Sequence, residues 1–196
     1  MSLQNSFCQE DGYLPHQQLT SIQAFFQQSV FWTFGWQSDK DTSPYAHWNH
    51  DFLKAHRKNQ ENREDVLLAD AELAPLHELW LRLKEERLSG HSLVRCYANA
   101  HTFGIEGYPH VDSRVPGNYT TIFYLNPVWK PEWAGETVFL NDAGDIFQAV
   151  LPKPGRLVTF DGRITHAARP LSRVCPAMRV TLMFKTRAPG AAGDPE

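Results

Sequence analysis

After Gly90 the sequence changes its period. The runs SLVRCYA, TTIFYLN, ETVFL, FQAVL, RLVTF and MRVTLMF follow one another, separated by Gly, Pro, Asn and Asp. They are rich in β-branched and aromatic residues, and the breaks between them are turn formers. Six short strands at close spacing predict an antiparallel sandwich or barrel. The runs carry apolar residues on both faces, as a sheet covered on both sides requires. Before Gly90 the spacing is helical. Leu19, Ile22 and Phe26 follow Pro15, which suits a first-turn position. Leu76, Trp80 and Leu83 share one face of a second predicted helix, about 75–87, with Gly90 as its stop. The aromatic stretch from Phe31 to Phe52 reads as a strand followed by a long loop. The chain is therefore expected to be mostly β, with N-terminal helices packed on one sheet. One domain of 196 residues is expected: a helical and loop part over 1–90, a strand-rich core over 91–187 and a flexible tail over 188–196.

Composition narrows the function classes. Hydrophobic residues make up 42% of the chain, enough for a packed core without disulfide or metal staples. A net charge of -3 supplies no polybasic surface, so nucleic acid is not an expected partner. No apolar run suits a membrane span, and the first residues carry neither a basic start nor an apolar stretch. Cys8, Cys96 and Cys175 are odd in number and scattered, which reads as reduced thiols in a cytoplasmic protein.

The sharpest chemical feature is His110-Val111-Asp112. Residues i and i+2 of a strand point the same way, so one imidazole and one carboxylate can converge. His166, just after the run RLVTF, is the candidate third ligand. Two His and one carboxylate with open positions form the facial triad of non-haem Fe(II) oxygenases. The alternative for the tripeptide alone is a surface His beside a solvated Asp. Alternation along MRVTLMF puts Arg179, Thr181 and Met183 on one face, and along TTIFYLN it puts Thr120, Ile122 and Tyr124 on one face. A guanidinium in an apolar strand must reach water or hold a fixed anion. If both faces line an interior, Arg179 and Tyr124 are placed to grip a carboxylate.

From Arg95 to Lys185 the stretches RCYANAHTFGIEGYPHVDS, TTIFYLNPVWKPEWAGETVFL, PKPGRLVTFDGRITHAARP and MRVTLMFK occur in this order. Together they resemble the 2-oxoglutarate- and Fe(II)-dependent oxygenases, in their prolyl 4-hydroxylase-like branch. The resemblance implies a double-stranded β-helix (jelly roll) with the site at its open mouth. It implies that His110, Asp112 and His166 bind Fe(II), and that Arg179 pairs with the far carboxylate of 2-oxoglutarate. It implies that Tyr124 reaches the same carboxylate and that Tyr97 lines the cosubstrate pocket. O2 is the implied oxidant and ascorbate the implied reductant. The implied reaction hydroxylates a prolyl, amino-acid-like, other small-molecule or peptide substrate and releases succinate and CO2. Two departures stand out: Ala134-Gly135 replaces the usual glycine pair, and an insert at 172–176 lengthens the step from His166 to Arg179. That insert makes Arg169 and Arg173 rival anion binders.

His47, His50 and Asp51 form a second cluster, without the Cys or second HxxH that a zinc site would bring. Their stretch, which includes Trp48, mixes aromatic and polar groups as ligand pockets do. The competing reading is a loop packed by Trp32, Trp36 and Trp48. His101 is a candidate supporting residue of the metal site, and the run KNQENRED reads as a solvated helix start. Two other function classes compete with the oxygenase. One is a jelly-roll protein using the same three residues for Zn or Mn without 2-oxoglutarate. The other is a non-catalytic jelly-roll binding module. Arg179 argues against the first, and retention of three ligands argues against the second.

Overall fold

A computed structural model of the chain describes residues 3–38, 45–54 and 61–193. In chain order its elements are β1 (Cys8–Glu10), α1 (His16–Ser29), β2 (Thr33–Gln37), β3 (Ala46–Asp51), α2 (Glu64–Ala69) and α3 (Ala74–Glu86). They continue with β4 (Ser92–His101), β5 (Asn118–Tyr124), β6 (Thr137–Leu140), β7 (Ile146–Val150), β8 (Leu157–Asp161), β9 (His166–Ala168) and β10 (Arg179–Arg187). The strands form a seven-stranded sheet, β1-β8-β5-β10-β4-β3-β2, and a three-stranded sheet, β7-β6-β9. All pairings are antiparallel. The six predicted strands are present, in a mostly β jelly roll with a few helices. No helix is long and apolar enough to cross a membrane among the described residues.

The helices cover the outer face of the large sheet. α1 begins directly after Pro15 and buries Leu19, Ile22, Phe25 and Phe26. α3 carries Pro75 in its first turn and buries Leu76, Leu79, Trp80 and Leu83. These side chains pack on Cys96, Ala98, Phe123, Leu182 and Phe184, with the Trp80 and Phe184 rings 5.9 Å apart. A second core of Ile122, Tyr124, Phe139, Val158, Phe160 and Met183 lies on the opposite, inner face. β10 shows the division: Val180, Leu182 and Phe184 face the helices, while Arg179, Thr181, Met183 and Lys185 line a cavity on the inner side.

Three expectations change. The segment 31–52 is not a strand with a long loop; it holds two paired strands, β2 and β3, and β3 pairs with β4. The alternation was hidden because β3's inner face is polar: His47 and Asn49 are buried and Trp48 points the other way, against Phe34 at 5.1 Å. Second, β1 was missed because its three residues, CQE, carry no apolar alternation. Third, His110 and Asp112 do not lie on an extended strand. The strand shrinks to one bridge, His110 to His166, at the free side of β9. Of the remaining expectations, the start of KNQENRED, His56 and the last three tail residues lie outside the described residues, while Glu64 and Asp65 do open α2.

Candidate active site

The bridge that replaces the strand does the positioning. The His110 N–H donates to the His166 carbonyl at 3.1 Å, and the His166 N–H donates back at 3.0 Å. This sets the two imidazoles side by side, with centroids 4.5 Å apart. Asp112 is fixed two residues on, where its N–H donates to the Gly162 carbonyl at 2.8 Å. Each imidazole Nδ1 meets the carbonyl two residues before it, Tyr108 at 2.7 Å and Ile164 at 2.9 Å. A carbonyl only accepts, so both Nδ1 atoms carry the proton and both Nε2 atoms present lone pairs. His110 Nε2 lies 3.6 Å from Asp112 Oδ1, and His166 Nε2 lies 3.4 Å from Asp112 Oδ2. Three electron-pair donors therefore converge, with one atom from each within 4.8 Å of the others. Ligand atoms about 2.1 Å from an ion lie roughly 3 Å apart when they are cis, so these residues fit a divalent metal with small adjustment.

The surroundings keep the ligands in their binding forms. Burial pushes the His166 imidazole down to about 4, despite the attraction of Asp112, so it is neutral at physiological pH. Phe160 packs edge-on to its ring at 4.7 Å, and Phe139 stacks on it at 5.9 Å. Burial opposes ionisation of Asp112, but the Lys185 ammonium leads the charges that overcome it, and the carboxyl stays well below its usual range. Lys185 contacts Asp112 Oδ2 directly. Thr120 Oγ1 donates to the same oxygen at 2.6 Å and receives Lys185 Nζ at 2.8 Å.

Arg179 is 2% exposed at the start of β10's inner row. Its Nε donates to the Gly135 carbonyl at 2.8 Å and its Nη2 to Thr137 Oγ1 at 2.7 Å. Thr137 Oγ1 also shares a 2.7 Å hydrogen bond with the Tyr124 hydroxyl, and the guanidinium lies 5.3 Å from the Tyr124 ring centre. Arg179 and Thr137 line the cavity wall, whereas Tyr124 is fully buried behind them. The Ala134-Gly135 turn makes this possible. Gly135 has φ +77, and a Cβ there would meet Leu171 at 2.4 Å and crowd Arg179 Cδ at 3.4 Å. Ala134 holds φ 54 without that freedom. Arg169 and Arg173, the rival anion binders, are both exposed and outside the cavity wall.

The cavity measures about 390 Å³ and runs from Arg179 past the His-Asp-His cluster to Arg95. Tyr97 lines it from β4, 5% exposed, as does His101, which is 4% exposed and stacked on His47 at 5.0 Å. The HxxHD cluster does not converge. His47 points into the cavity, His50 binds the Phe31 carbonyl at 3.0 Å, and Asp51 accepts the Leu53 N–H at 3.1 Å. Sequence reasoning missed Lys185 and Thr137. Continuing the alternation 179, 181, 183 by one step would have found Lys185, because β10 runs past Phe184. Thr137 carried no signal, since its role depends on which sheet faces Arg179.

The jelly roll with a His-Asp-His cluster on its inner face has counterparts among known proteins. Residues 94–184 match the model of the 2OG-Fe(II) oxygenase superfamily, a span that contains all three cluster residues. That span, just under half of the chain, is similar to the superfamily. No curated protein matches the chain by sequence. The fold is similar to a Pseudomonas putida prolyl-4-hydroxylase, with TM-score 0.64, 18% identity and coverage of 93% of this chain and 92% of that one. It is also similar to a Trichoplax adhaerens prolyl hydroxylase in complex with a hypoxia inducible factor peptide fragment, with TM-score 0.63, 19% identity and 93% and 84% coverage. Streptomyces hygroscopicus HygX, with nickel and 2-oxoglutarate bound, gives TM-score 0.60 at 12% identity and 94% and 84% coverage. At these identities the likeness is one of fold.

Proposed function

We propose that the protein is an Fe(II)- and 2-oxoglutarate-dependent dioxygenase that hydroxylates a prolyl, amino-acid-like, other small-molecule or peptide substrate and releases succinate and CO2. The observation that carries this reading is one cavity wall holding both parts of the machinery. His110 and His166 Nε2 face Asp112 there, and Arg179 is fixed deeper on the same inner face. His110, Asp112 and His166 hold the iron. Bound Fe(II), with 2-oxoglutarate and O2, supplies the oxidising chemistry. Everything else is done by the protein. The Tyr108 and Ile164 carbonyls hold the imidazole protons on Nδ1. Thr120 and Lys185 orient the Asp112 carboxylate. Arg179 pairs with the far carboxylate of 2-oxoglutarate, with Thr137 beside it and Tyr124 bracing that hydroxyl from behind. Tyr97 lines the cosubstrate pocket. The likeness in fold to prolyl hydroxylases supports the prolyl or amino-acid-like choice, and HygX shows that the fold also accommodates 2-oxoglutarate with a metal.

The test supplies Fe(II), ascorbate, O2 and ¹³C-labelled 2-oxoglutarate with a panel of prolyl peptides and free amino acids. Succinate is followed by NMR. The proposal expects succinate to form, faster with one class of substrate, and to be absent with Asp112→Ala. Labelled 2-oxoglutarate that stays intact and unbound at every substrate would overturn it.

A further inference from the structure

Among the described residues that line the cavity, Arg95, Arg179 and Lys185 carry positive charge and Asp112 carries a carboxylate. Two of the cations, Lys185 and Arg95, occupy directly opposed positions on β10 and β4 and turn to the same cavity. Like charges facing across a strand pair are unfavourable, so this arrangement calls for a counter-charge. Lys185 has one in Asp112. Among the described residues Arg95 has Asp51 alone, 4.0 Å from Nη2 and short of a hydrogen bond. Its Nε and Nη2 are buried with no hydrogen-bond partner, although its side chain is only 13% exposed. An unbonded buried guanidinium is costly unless a ligand completes it. Trp36 and Tyr97 hold it in place, with ring centres 5.1 and 4.6 Å from Cζ.

We infer that Arg95 is the anchor for an anionic group of the substrate, a carboxylate, at the end of the cavity opposite the cosubstrate's anchor. Arg179 lies opposite His101, six residues from Arg95 along β4, so the two guanidinium-bearing backbone positions are about 20 Å apart at the strand rise. Lys185, opposite Arg95 on the neighbouring strand, touches the Asp112 carboxylate, so both cationic positions border the same cavity as the metal cluster. The substrate class this selects is a small molecule or chain end with a free carboxylate, met by a guanidinium held between two aromatic rings.

The inference rests on the 2-oxoglutarate oxygenase reading for calling this anion the substrate's. Wild-type protein is loaded anaerobically with Mn(II) and saturating 2-oxoglutarate, and binding of both is measured first. It is then titrated by calorimetry with N-acetyl-L-proline, N-acetyl-L-glutamate and N-acetyl-L-leucine, each beside its α-amide. One charge-assisted bond predicts that at least one carboxylate binds roughly tenfold to a hundredfold tighter than its amide. Arg95→Met, which keeps the stem between the rings, removes that preference, and Arg95→Lys keeps part of it. Equal binding of every acid and amide by the wild type overturns the proposal, as does a preference that survives in Arg95→Met. A tenfold loss of 2-oxoglutarate affinity in Arg95→Met overturns it as well, by assigning the guanidinium to the cosubstrate. Failure of the wild type to bind 2-oxoglutarate would refute the oxygenase reading instead, and the acid–amide comparison with Arg95→Met would still judge the anion site.

Discussion

Replacing Arg179 with Met leaves the length of the side chain and removes its charge and its fork. The guanidinium is held by the Gly135 carbonyl at 2.8 Å and Thr137 Oγ1 at 2.7 Å, and at 2% exposure water has little access to replace it. A hydrogen bond to a charged group contributes about 1.5–3 kcal/mol, so losing one weakens 2-oxoglutarate roughly tenfold to 150-fold. The variant also leaves the Gly135 carbonyl and the Thr137 hydroxyl without this donor, at a folding cost of about 1–3 kcal/mol, partly offset by no longer burying a cation. That corresponds to a Tm lower by roughly 2–12 °C. The assay is anaerobic calorimetry of 2-oxoglutarate into Mn(II)-loaded protein, with Arg169→Ala and Arg173→Ala as comparisons because both side chains are exposed and off the cavity wall. Metal affinity should hold in all three. Retention of 2-oxoglutarate affinity within threefold by Arg179→Met, or its loss in Arg173→Ala, would refute the assignment.

Acid should destabilise the metal-free fold. The folded pKa of His166, about 4, lies below the unfolded value near 6.5, so the unfolded chain takes the proton first. Stability present above pH 6.5 is lost as pH falls towards 4, by about 3 kcal/mol for this residue. His91 and His101 are lowered by burial and act in the same direction. Urea unfolding at pH 7 and pH 4.5 checks this, and equal midpoints would contradict it. Ala134→Gly should raise Tm by a few degrees, because alanine at φ 54 carries strain of about 1–3 kcal/mol that glycine relieves, less about 0.4–1 kcal/mol of added unfolded-chain entropy. Thermal scans decide it. Trp80→Ala, a fully buried side chain under the large sheet, should cost about 3–5 kcal/mol in denaturant unfolding and leave the cavity's metal affinity unchanged.

The strand core was legible because its outer face is apolar and its turns are marked by Gly, Pro, Asn and Asp. Leu182 and Phe184 pack under Trp80 on one side while Arg179 and Met183 face the cavity, and simple alternation assigned these faces correctly. Where the cavity lies, the same rule loses its signal. The inner residues of β3 are His47, Asn49 and Asp51, so the strand looked like a loop and Trp48 looked like a ligand contact, although it packs on Phe34. The three metal-site residues were legible from HxD and the distant His166, but the strand assumed to hold them is a single bridge. The Arg179 setting was only half legible. Thr137 and the Gly135 carbonyl come from the other sheet, and pairings between distant segments leave no periodicity in either one.

The central claim is that His110, Asp112 and His166 hold one divalent ion that 2-oxoglutarate then needs. Equilibrium dialysis of Fe(II) under anaerobic conditions, with and without 2-oxoglutarate, tests both halves in wild type, Asp112→Ala and His166→Ala. The account predicts one Fe(II) per wild-type chain, loss of that site in both variants, and 2-oxoglutarate binding that collapses when the metal is removed. Full-affinity Fe(II) binding by Asp112→Ala and His166→Ala would contradict it.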